Sequence, residues 1–262
     1  MILRRLGNKQ AIAHKIIPYF PPHKTYIEPF FGAGGMFFNK PKAKYNIVND
    51  LDSDVFNLFM VIMNRKEELE QAFYMMPIHS DLWNYWKKNK ETDPIRKALR
   101  FLLFSNFGYM GHPETLLLQN NNSKQICYNY IDKTFEYLSG TDGFDIKFSN
   151  SDFRKFLKSI AFRHENEQSK SFIYCDPPYL GTGNNYNNLF TEQDSIDLFD
   201  CLQATGCKFA MSEFDHPFIL QQAKERGLNV HIIGERKNIE NRRTEILVTN
   251  YRNNPTLFDT IK

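Results

Sequence analysis

The 262-residue sequence predicts an α/β fold built on a doubly wound, mostly parallel sheet. Apolar strand segments alternate with helical patterns before residue 54 and after residue 141, and the stretch between them lacks this alternation. We therefore expect a core domain formed by residues 1–54 and 141–262, with a smaller helical and hairpin insert over residues 55–140. With 42% apolar residues, the chain can bury a sizeable core.

Seven short apolar segments bounded by turn residues predict the strands of this sheet. They are Thr25–Phe30, Tyr45–Asp50, Asp145–Phe148, Ser171–Cys175, Lys208–Ser212, Asn229–Gly234 and Thr244–Tyr251. The segment Glu235–Arg242 between the last two is too short for a helical crossover, so these strands should pair antiparallel.

Helical patterns occupy most of the intervals between strands. They are Lys9–Tyr19, a short stretch after Gly32–Gly35, Asp54–Asn64, several segments within 66–107, the stretch after Ser151–Phe153, the stretch from Thr191, and the stretch after Lys208–Ser212. Ser53 or Asp54 is a plausible cap for Asp54–Asn64, and Thr191 with Asp194 resembles a capping box. Residues 108–140 are rich in Gly, Asn and Tyr and predict a loop or β-hairpin.

The net charge is only +3, but basic residues are concentrated in two places. The first group is Arg4, Arg5, Lys9, Lys15, Lys24, Lys40, Lys42 and Lys44, and the second is Arg236, Lys237, Arg242 and Arg243. No amphipathic anchor accompanies them, so a phosphate backbone suits them better than a membrane. Solvated surfaces are the alternative.

The cysteines predict neither disulfides nor a zinc site. Cys127, Cys175, Cys201 and Cys207 form no CxxC motif and have no His at metal-ligand spacing, so we expect free thiols and no metal. The N-terminus lacks the apolar core of a signal peptide, and no apolar run reaches the roughly 18 residues of a membrane span. We expect a cytoplasmic protein.

Asp176-Pro-Pro-Tyr179 follows a predicted buried strand, at the edge where open α/β sheets place their ligands. The prolines end the strand and hold their carbonyls at fixed angles. The Asp176 carboxylate and the Pro177 carbonyl can each accept one hydrogen of an exocyclic aromatic amine, which localises the nitrogen lone pair. Asp176 would then stabilise the developing positive charge, and Tyr179 offers a face for an extruded base. The alternative is an ordinary turn with a surface tyrosine.

The segment Glu28–Gly35 is a glycine-rich turn after the first strand, where a ligand can approach the backbone closely. Its order is not that of the G-x-G-x-x-G dinucleotide fingerprint. Asp50, at the end of the second strand, fits an acid that binds ribose hydroxyls. A helix cap is the other role open to it.

These segments resemble the Dam-type (α-group) N6-adenine-specific DNA methyltransferases. The matching pieces are Gly7–Lys9, Glu28–Gly35, Val48–Asp50, Ser151–Phe153, Asp176–Tyr179 and Arg243–Tyr251, in the family's order. The resemblance implies a class I, Rossmann-like methyltransferase fold with a target-recognition insert. It also implies methyl transfer from S-adenosyl-L-methionine to the N6 amine of adenine within a specific sequence of double-stranded DNA, by a monomer or weak dimer.

The resemblance also implies roles for individual residues. The implied cofactor-binding residues are Lys9, Glu28, Pro29, Gly32, Asp50, Asp152, Phe153 and Asp176. Among them Lys9 would lie near the aminoacyl part of the cofactor or the target adenine. Asp152 and Phe153 would hold the adenine of the cofactor. The implied catalytic residues are Asp176, Pro177 and Tyr179.

Two segments depart from the family. Arg5 stands where relatives often have an aromatic residue, and the stretch from Asn106 does not match the hairpin of GATC readers. We therefore do not assume GATC as the target sequence.

The residues expected to contact DNA are Arg4, Lys15, Asn106, Tyr109 and Asn120. The basic side chains would bind phosphates, and amides in the stretch 106–125, including Gln119, Asn121 and Asn122, would pair with adenine edges. Phe107, Tyr109 and Met110 are candidate wedges for the gap left by a flipped base. The alternative is that this stretch only packs against the core.

Other functions remain open at this point. An RNA adenine methyltransferase would use the same motif, whereas glutamine methyltransferases of similar fold usually have Asn-Pro-Pro-Tyr, against Asp176 here. A catalytically inactive DNA-binding relative is the alternative from another class. Such a relative should have lost the Asp176-Pro-Pro-Tyr179 motif or the glycines of Glu28–Gly35, and both are intact in this sequence.

Overall fold

The computed structural model of the chain describes residues 2–3, 8–117, 123–139, 144–181, 190–237 and 242–252. Several residues with predicted roles lie outside these ranges: Arg4, Arg5, Gly7, Gln119, Asn120, Asn121 and Asn122.

The N-terminal segment is less helical than its pattern predicts. Two 3₁₀ turns, Lys9–Ala11 and Ile17–Tyr19, flank a single α-helical turn, α1 (Ala13–Ile16). The break falls at Ile12, whose ψ of 3° leaves the α-helical region. Strand β1 (Thr25–Glu28) and strand β2 (Tyr45–Asn49) follow, both within the predicted ranges.

The short helix expected after the glycine-rich turn is not formed. Residues 35–39 form turns instead, and Gly34, directly before them, has φ of 71°, a left-handed conformation outside the right-handed helical region. The prediction of a helix there was therefore wrong.

The described residues of the middle of the chain contain five α-helices. They are α2 (Ser53–Asn64), α3 (Lys66–Met75), α4 (Ser80–Lys88), α5 (Pro94–Phe107) and α6 (Ser123–Leu138). The N-cap of α2 is Asp52, whose carboxylate accepts from Asp54 N, rather than Ser53 or Asp54 as expected.

The expectation of a loop or hairpin over 108–140 was correct only for its first part. A single antiparallel bridge between Gly108 and Leu116 closes the loop after α5. Helix α6 then replaces the rest, because Cys127, Ile131 and Leu138 share one helical face and are almost fully buried. The asparagine run ends before this apolar pattern begins.

The rest of the chain alternates strands with helices, as predicted. The elements are β3 (Asp145–Ser149), α7 (Phe153–Ser159), α8 (Glu165–Ser169), β4 (Ser171–Cys175), α9 (Glu192–Ala204), β5 (Lys208–Phe214), α10 (Pro217–Glu225), β6 (Asn229–Lys237) and β7 (Arg242–Thr249). Thr191 and Asp194 form the predicted capping box at the start of α9. Helix α8 was not predicted.

The strands form one seven-stranded sheet of order β3-β2-β1-β4-β5-β7-β6. The pairs from β3 to β5 are parallel, whereas β7 pairs antiparallel with both β5 and β6. The mostly parallel α/β sheet and the antiparallel pairing of the last two strands are thus confirmed. The insertion of β7 between β5 and β6 was not predicted.

Both faces of the central strands are covered, which explains why all of β4 is buried. Ile173 and Cys175 belong to an apolar cluster with α7, α9 and α10. On the opposite face, Phe172 and Tyr174 contact the ring of Phe20, at centroid distances of 4.6 and 5.4 Å. A strand buried on both sides fixes the loop that follows it.

The chain divides into two compact units. The sheet unit is Gln10–Phe31, Asn39–Leu51 and Phe144–Lys262, and the helical unit is Met1–Lys9, Gly32–Phe38 and Asp52–Gly143. The helical unit thus includes two short segments that the sequence pattern groups with the sheet.

Within the described part of the chain, no helix is long and apolar enough to span a membrane. Nor do the described His, Cys, Asp and Glu side chains form a group of three or more that is arranged to hold a metal ion. Cys127, Cys175, Cys201 and Cys207, all within the described ranges, are not joined in disulfides.

Candidate functional site

The order of the strands brings three acidic residues to one edge of the sheet unit. Glu28 ends β1, Asp50 follows β2 and Asp176 follows β4. Because β1 pairs in parallel with both β2 and β4, their carboxyl ends lie side by side. The strand order reverses between β1 and β4, and open α/β sheets bind ligands at such a point. We call this region the carboxyl edge.

Asp176-Pro-Pro-Tyr179 leaves the sheet directly after buried β4. Asp176 is half-buried, whereas Tyr179 is only 8% exposed. The Tyr179 hydroxyl donates to Glu245 Oε1, and its ring meets Phe214 edge-on at 4.7 Å. The alternative of a surface tyrosine is therefore wrong.

The charges around Tyr179 keep its hydroxyl protonated. Burial raises the pKa of Tyr179 well above its usual value, and the carboxylates of Asp176 and Glu245 raise it further. A protonated hydroxyl remains a hydrogen-bond donor across the physiological pH range.

Glu28 is a buried acid at the centre of the carboxyl edge. It is 2% exposed and accepts a hydrogen bond of 2.9 Å from the Tyr26 hydroxyl. Burial raises the pKa of Glu28 well above its usual value, and Asp176 and Asp50 raise it further, against the opposing effects of Tyr26 and Lys40. Glu28 therefore lies within electrostatic reach of both Asp50 and Asp176.

Lys40 is part of the same buried polar group. Its ammonium lies 4.0 Å from the centroid of the Tyr26 ring and donates to Asn46 Oδ1 at 3.3 Å. Desolvation lowers the pKa of Lys40 to about 8, against the attraction of Glu28. Since Lys40 is only 4% exposed, its assignment to a phosphate-binding group was wrong.

Asp50 does not serve as the cap that was its alternative role, because Asp52 caps α2. Its backbone is held at both ends: Asp50 N donates to Ser149 O at 3.2 Å, and Asn150 Nδ2 donates to Asp50 O at 2.8 Å. The half-buried Asp50 thus follows β2 in a fixed backbone conformation.

Asn49 joins three segments of the carboxyl edge, and sequence reasoning missed it. Its Nδ2 donates to Pro29 O at 3.0 Å and to Ser151 O at 2.9 Å, and its Oδ1 accepts from Ser151 N at 3.0 Å. Its carbonyl accepts from Phe31 N at 2.9 Å. We call these bonds the Asn49 cluster. The signal in the sequence was a polar residue directly before the acid that ends a strand.

Asp152 and Phe153 form the start of α7. The Asp152 carboxylate caps the helix by accepting from Arg154 N at 2.9 Å. The buried Phe153 ring lies 5.4 Å from Phe30 and 6.1 Å from Phe190. The turn therefore places the Asp152 carboxylate next to an aromatic cluster formed by Phe30, Phe153 and Phe190.

Arg154 joins this turn to α9. Its guanidinium donates to Asp194 at 2.5 Å and to Asp197 at 2.7 Å, and it pairs with Asp152 at 3.3 Å. Desolvation lowers the pKa of Arg154, but the three acids together outweigh it and raise the pKa above its usual value. The position of the Asp152–Phe153 turn is thus set by α9 as well as by the sheet.

Two residues implied to bind the cofactor belong to the helical unit. Lys9 is only 3% exposed, so it is not a surface lysine. Gly32 has φ of 54°, and a Cβ built on it would meet no atom within 4 Å. Their roles remain predictions from the resemblance.

The residues expected to contact DNA differ in their surroundings. Lys15 is exposed and Tyr109 is 57% exposed. Asn106 is buried and donates to Ile2 O and Leu102 O, and Phe107 is only 4% exposed. The structure thus places these last two in the core rather than at a DNA-reading surface, which corrects the expectation for both. The side chain of Met110 lies outside the described part.

A mostly parallel α/β sheet with an acidic carboxyl edge and a loop fixed by prolines defines a Rossmann-like ligand-binding protein. A family model described as D12 class N6 adenine-specific DNA methyltransferase matches residues 6–245. The chain belongs to this family.

Curated relatives agree with this family. Modification methylase StsI of Streptococcus sanguinis is 24% identical, over 95% of this chain and 42% of that protein. DNA adenine methylase of Escherichia coli (strain K12) is 28% identical, over 68% of this chain and 64% of its own length. Type II methyltransferase M1.LlaDCHI of Lactococcus lactis subsp. cremoris is 26% identical, over 94% of this chain and 93% of that protein. The alignments thus span less than two thirds of the first two relatives.

Proposed function

We propose that this chain transfers a methyl group from S-adenosylmethionine to the N6 amine of adenine in DNA. The observation that carries the proposal is the position of Asp176-Pro-Pro-Tyr179, directly after a buried strand and beside Glu28, in a chain of this family.

The charge of the carboxyl edge fits the cofactor. S-adenosylmethionine, when bound, supplies an electrophilic methyl group on a positively charged sulfonium. Asp50 and Asp176, both half-buried at this edge, favour such a cationic ligand, because carboxylates attract positive charge. Asp50 would accept the ribose hydroxyls, and Asp152 with Phe153 would hold the adenine ring of the cofactor.

Asp176 and Pro177 would act on the target base. The Asp176 carboxylate and the Pro177 carbonyl would each accept one hydrogen bond from the N6 amine, so that the nitrogen lone pair is free to attack the methyl carbon. As the methyl group passes from the sulfonium to the nitrogen, Asp176 would stabilise the positive charge on nitrogen, and the proton that N6 then releases would pass to water. Tyr179 would receive the extruded adenine on its ring.

The β6–β7 hairpin is our candidate for a phosphate contact. Arg236 pairs with Arg243 and Lys237 pairs with Arg242 across the two strands. Basic residues concentrated in one hairpin attract the phosphates of a nucleic acid. Exposed Lys15 is a second candidate.

We propose that the segment 55–140 recognises the target sequence. Alanine changes within 106–125, with buried Asn106 and Phe107 left intact, should alter which sites are methylated. Lys15→Ala is the matched comparison, since loss of a phosphate contact should weaken DNA binding uniformly and flatten its salt dependence. A modified-site profile unchanged by every substitution in 106–125 would place sequence recognition elsewhere.

The direct test is to incubate the purified chain with S-adenosylmethionine and with matched DNA and RNA duplexes, and then to identify the modified nucleosides by mass spectrometry. N6-methyladenine in the DNA alone supports the proposal. Methylation confined to RNA would show that the substrate is RNA and not DNA. Cofactor binding by calorimetry without transfer to either nucleic acid would indicate an inactive relative.

A further inference from the structure

We infer that Glu245 is a positioning residue that orients Tyr179, and through it the target adenine. The inference rests on the proposed function, since it concerns the same reaction. It starts from one rung of the antiparallel pair β5–β7, in which Phe214 is paired with Glu245. Residues paired in this way project to the same face of the sheet, and Tyr179 contacts both.

The two residues of this rung contact different parts of Tyr179: Phe214 contacts the ring and Glu245 contacts the hydroxyl. Phe214 meets the ring edge-on, with an interplanar angle of 83°. Glu245, which is 1% exposed, accepts the hydroxyl hydrogen. One contact fixes the position of the ring and the other fixes its far end, so rotation of the side chain is restricted at both ends.

The same strand contacts the loop at a second point. Arg243, two residues before Glu245 on β7, donates from Nη2 to Gly181 O at 3.2 Å, two residues after Tyr179. Its guanidinium also lies 5.4 Å from the centroid of the Phe214 ring. Strand β7 thus holds the loop after Asp176 at two points: Glu245 bonds Tyr179, and Arg243 bonds Gly181.

Strand β7 would thus have a second role besides completing the sheet, which is to orient the Tyr179 ring. A base stacked on Tyr179 inherits the orientation of that ring, and transfer requires the amine nitrogen to be aligned with the methyl group. A ring that turns freely would bind the base in several orientations, of which few are productive. The carboxylate therefore acts on turnover through Tyr179, without itself touching the base.

The test compares four variants with the wild-type protein. Glu245→Ala removes the acceptor, Glu245→Gln retains an oxygen acceptor, and Tyr179→Phe removes the donor but keeps the ring. The fourth, Ser212→Ala, is the matched control: Ser212 is fully buried in β5, and its hydroxyl bonds the Tyr174 hydroxyl at 2.8 Å.

Each variant is measured for kcat, for KM of S-adenosylmethionine, for DNA affinity and for melting temperature. The fluorescence of a 2-aminopurine placed at the target adenine reports stacking. We expect Glu245→Ala and Tyr179→Phe to lose about tenfold in kcat, the scale of one buried hydrogen bond to a charged group, with KM for the cofactor unchanged. Both should show brighter 2-aminopurine, whereas Glu245→Gln should stay within about threefold of wild type in kcat.

A double variant, Tyr179→Phe with Glu245→Ala, separates positioning from general destabilisation. If Glu245 acts through the hydroxyl, the double variant loses no more kcat than Tyr179→Phe alone. Additive losses overturn the inference, as does an equal loss in Ser212→Ala. If the wild-type chain transfers no methyl group to DNA, the proposed function fails and this inference with it. Activity in the wild type with unchanged kcat in Glu245→Ala overturns the inference alone.

Discussion

The two halves of the carboxyl edge are held by different kinds of contact. On the side of β1, β2 and β3, the Asn49 cluster fixes the loops through backbone groups of Pro29, Phe31 and Ser151. On the side of β4, β5 and β7, the side chains of Tyr179 and Glu245 carry the main contact. The first half sets loop positions and the second sets the orientation of one ring. We therefore expect changes in the first half to act on cofactor binding and changes in the second to act on turnover.

The largest effect is expected for Asp176→Ala. Its carboxylate would act on the amine in the transition state, so turnover should fall on the order of 100- to 1000-fold or more. Cofactor affinity, measured by calorimetry, should stay close to wild type. Asp200→Ala, an exposed acid on α9, is the control. Turnover above a tenth of wild type would contradict the role of Asp176.

Asn49→Ala should have the next largest effect, because it leaves Pro29 O and both backbone groups of Ser151 without their partner. We expect a stability loss of about 2–3 kcal/mol and a rise of about tenfold or more in KM for S-adenosylmethionine. Asn250→Ala is the matched control, since Asn250 also bonds backbone groups on both sides of its amide, Cys207 O and Phe209 N, beside the start of β5. It should lower the melting temperature without changing KM. A fall in kcat alone in Asn49→Ala would break the comparison between the halves.

Asp50→Ala should raise KM for S-adenosylmethionine by about tenfold and lower kcat less, because an acid that binds ribose hydroxyls contributes mainly to binding. Asp52→Ala removes the cap of α2, two residues later, and should cost about 1 kcal/mol of stability with KM unchanged. An unchanged KM in Asp50→Ala would remove this residue from the proposed cofactor site.

The smallest effect concerns Lys40 and pH. Its pKa is lowered to about 8 in the folded protein, below that of an unfolded lysine, so between these values the unfolded chain binds more protons. Stability should therefore rise with pH from about 8 towards 10, by on the order of 2 kcal/mol relative to Lys40→Met. Urea unfolding of both proteins at several pH values measures this difference. Parallel curves would show that Lys40 is not desolvated.

The features that a local pattern determines were predictable. The buried strand before Asp176, the capping box at Thr191 and the antiparallel last strands each depend on a short stretch of chain. The burial of Asn106 was not predictable, because it depends on a residue distant in the sequence: Asn106 bonds Ile2 O, 104 positions away. For the same reason neither Glu245, 66 residues from Tyr179, nor the Asn49 cluster was found.

The pairing of β2 with β3 has a consequence for folding. Strand β2 ends at Asn49, but β3 begins only at Asp145 and β4 only at Ser171. During synthesis the pair β1–β2 must therefore wait for its neighbours, and an isolated pair of strands is at best marginally stable. Such long-range contacts close slowly, so we expect the sheet to form late, after the chain of α2–α6 has emerged from the ribosome. Ribosome-bound chains that end before residue 145 should accordingly be digested by protease throughout 25–49.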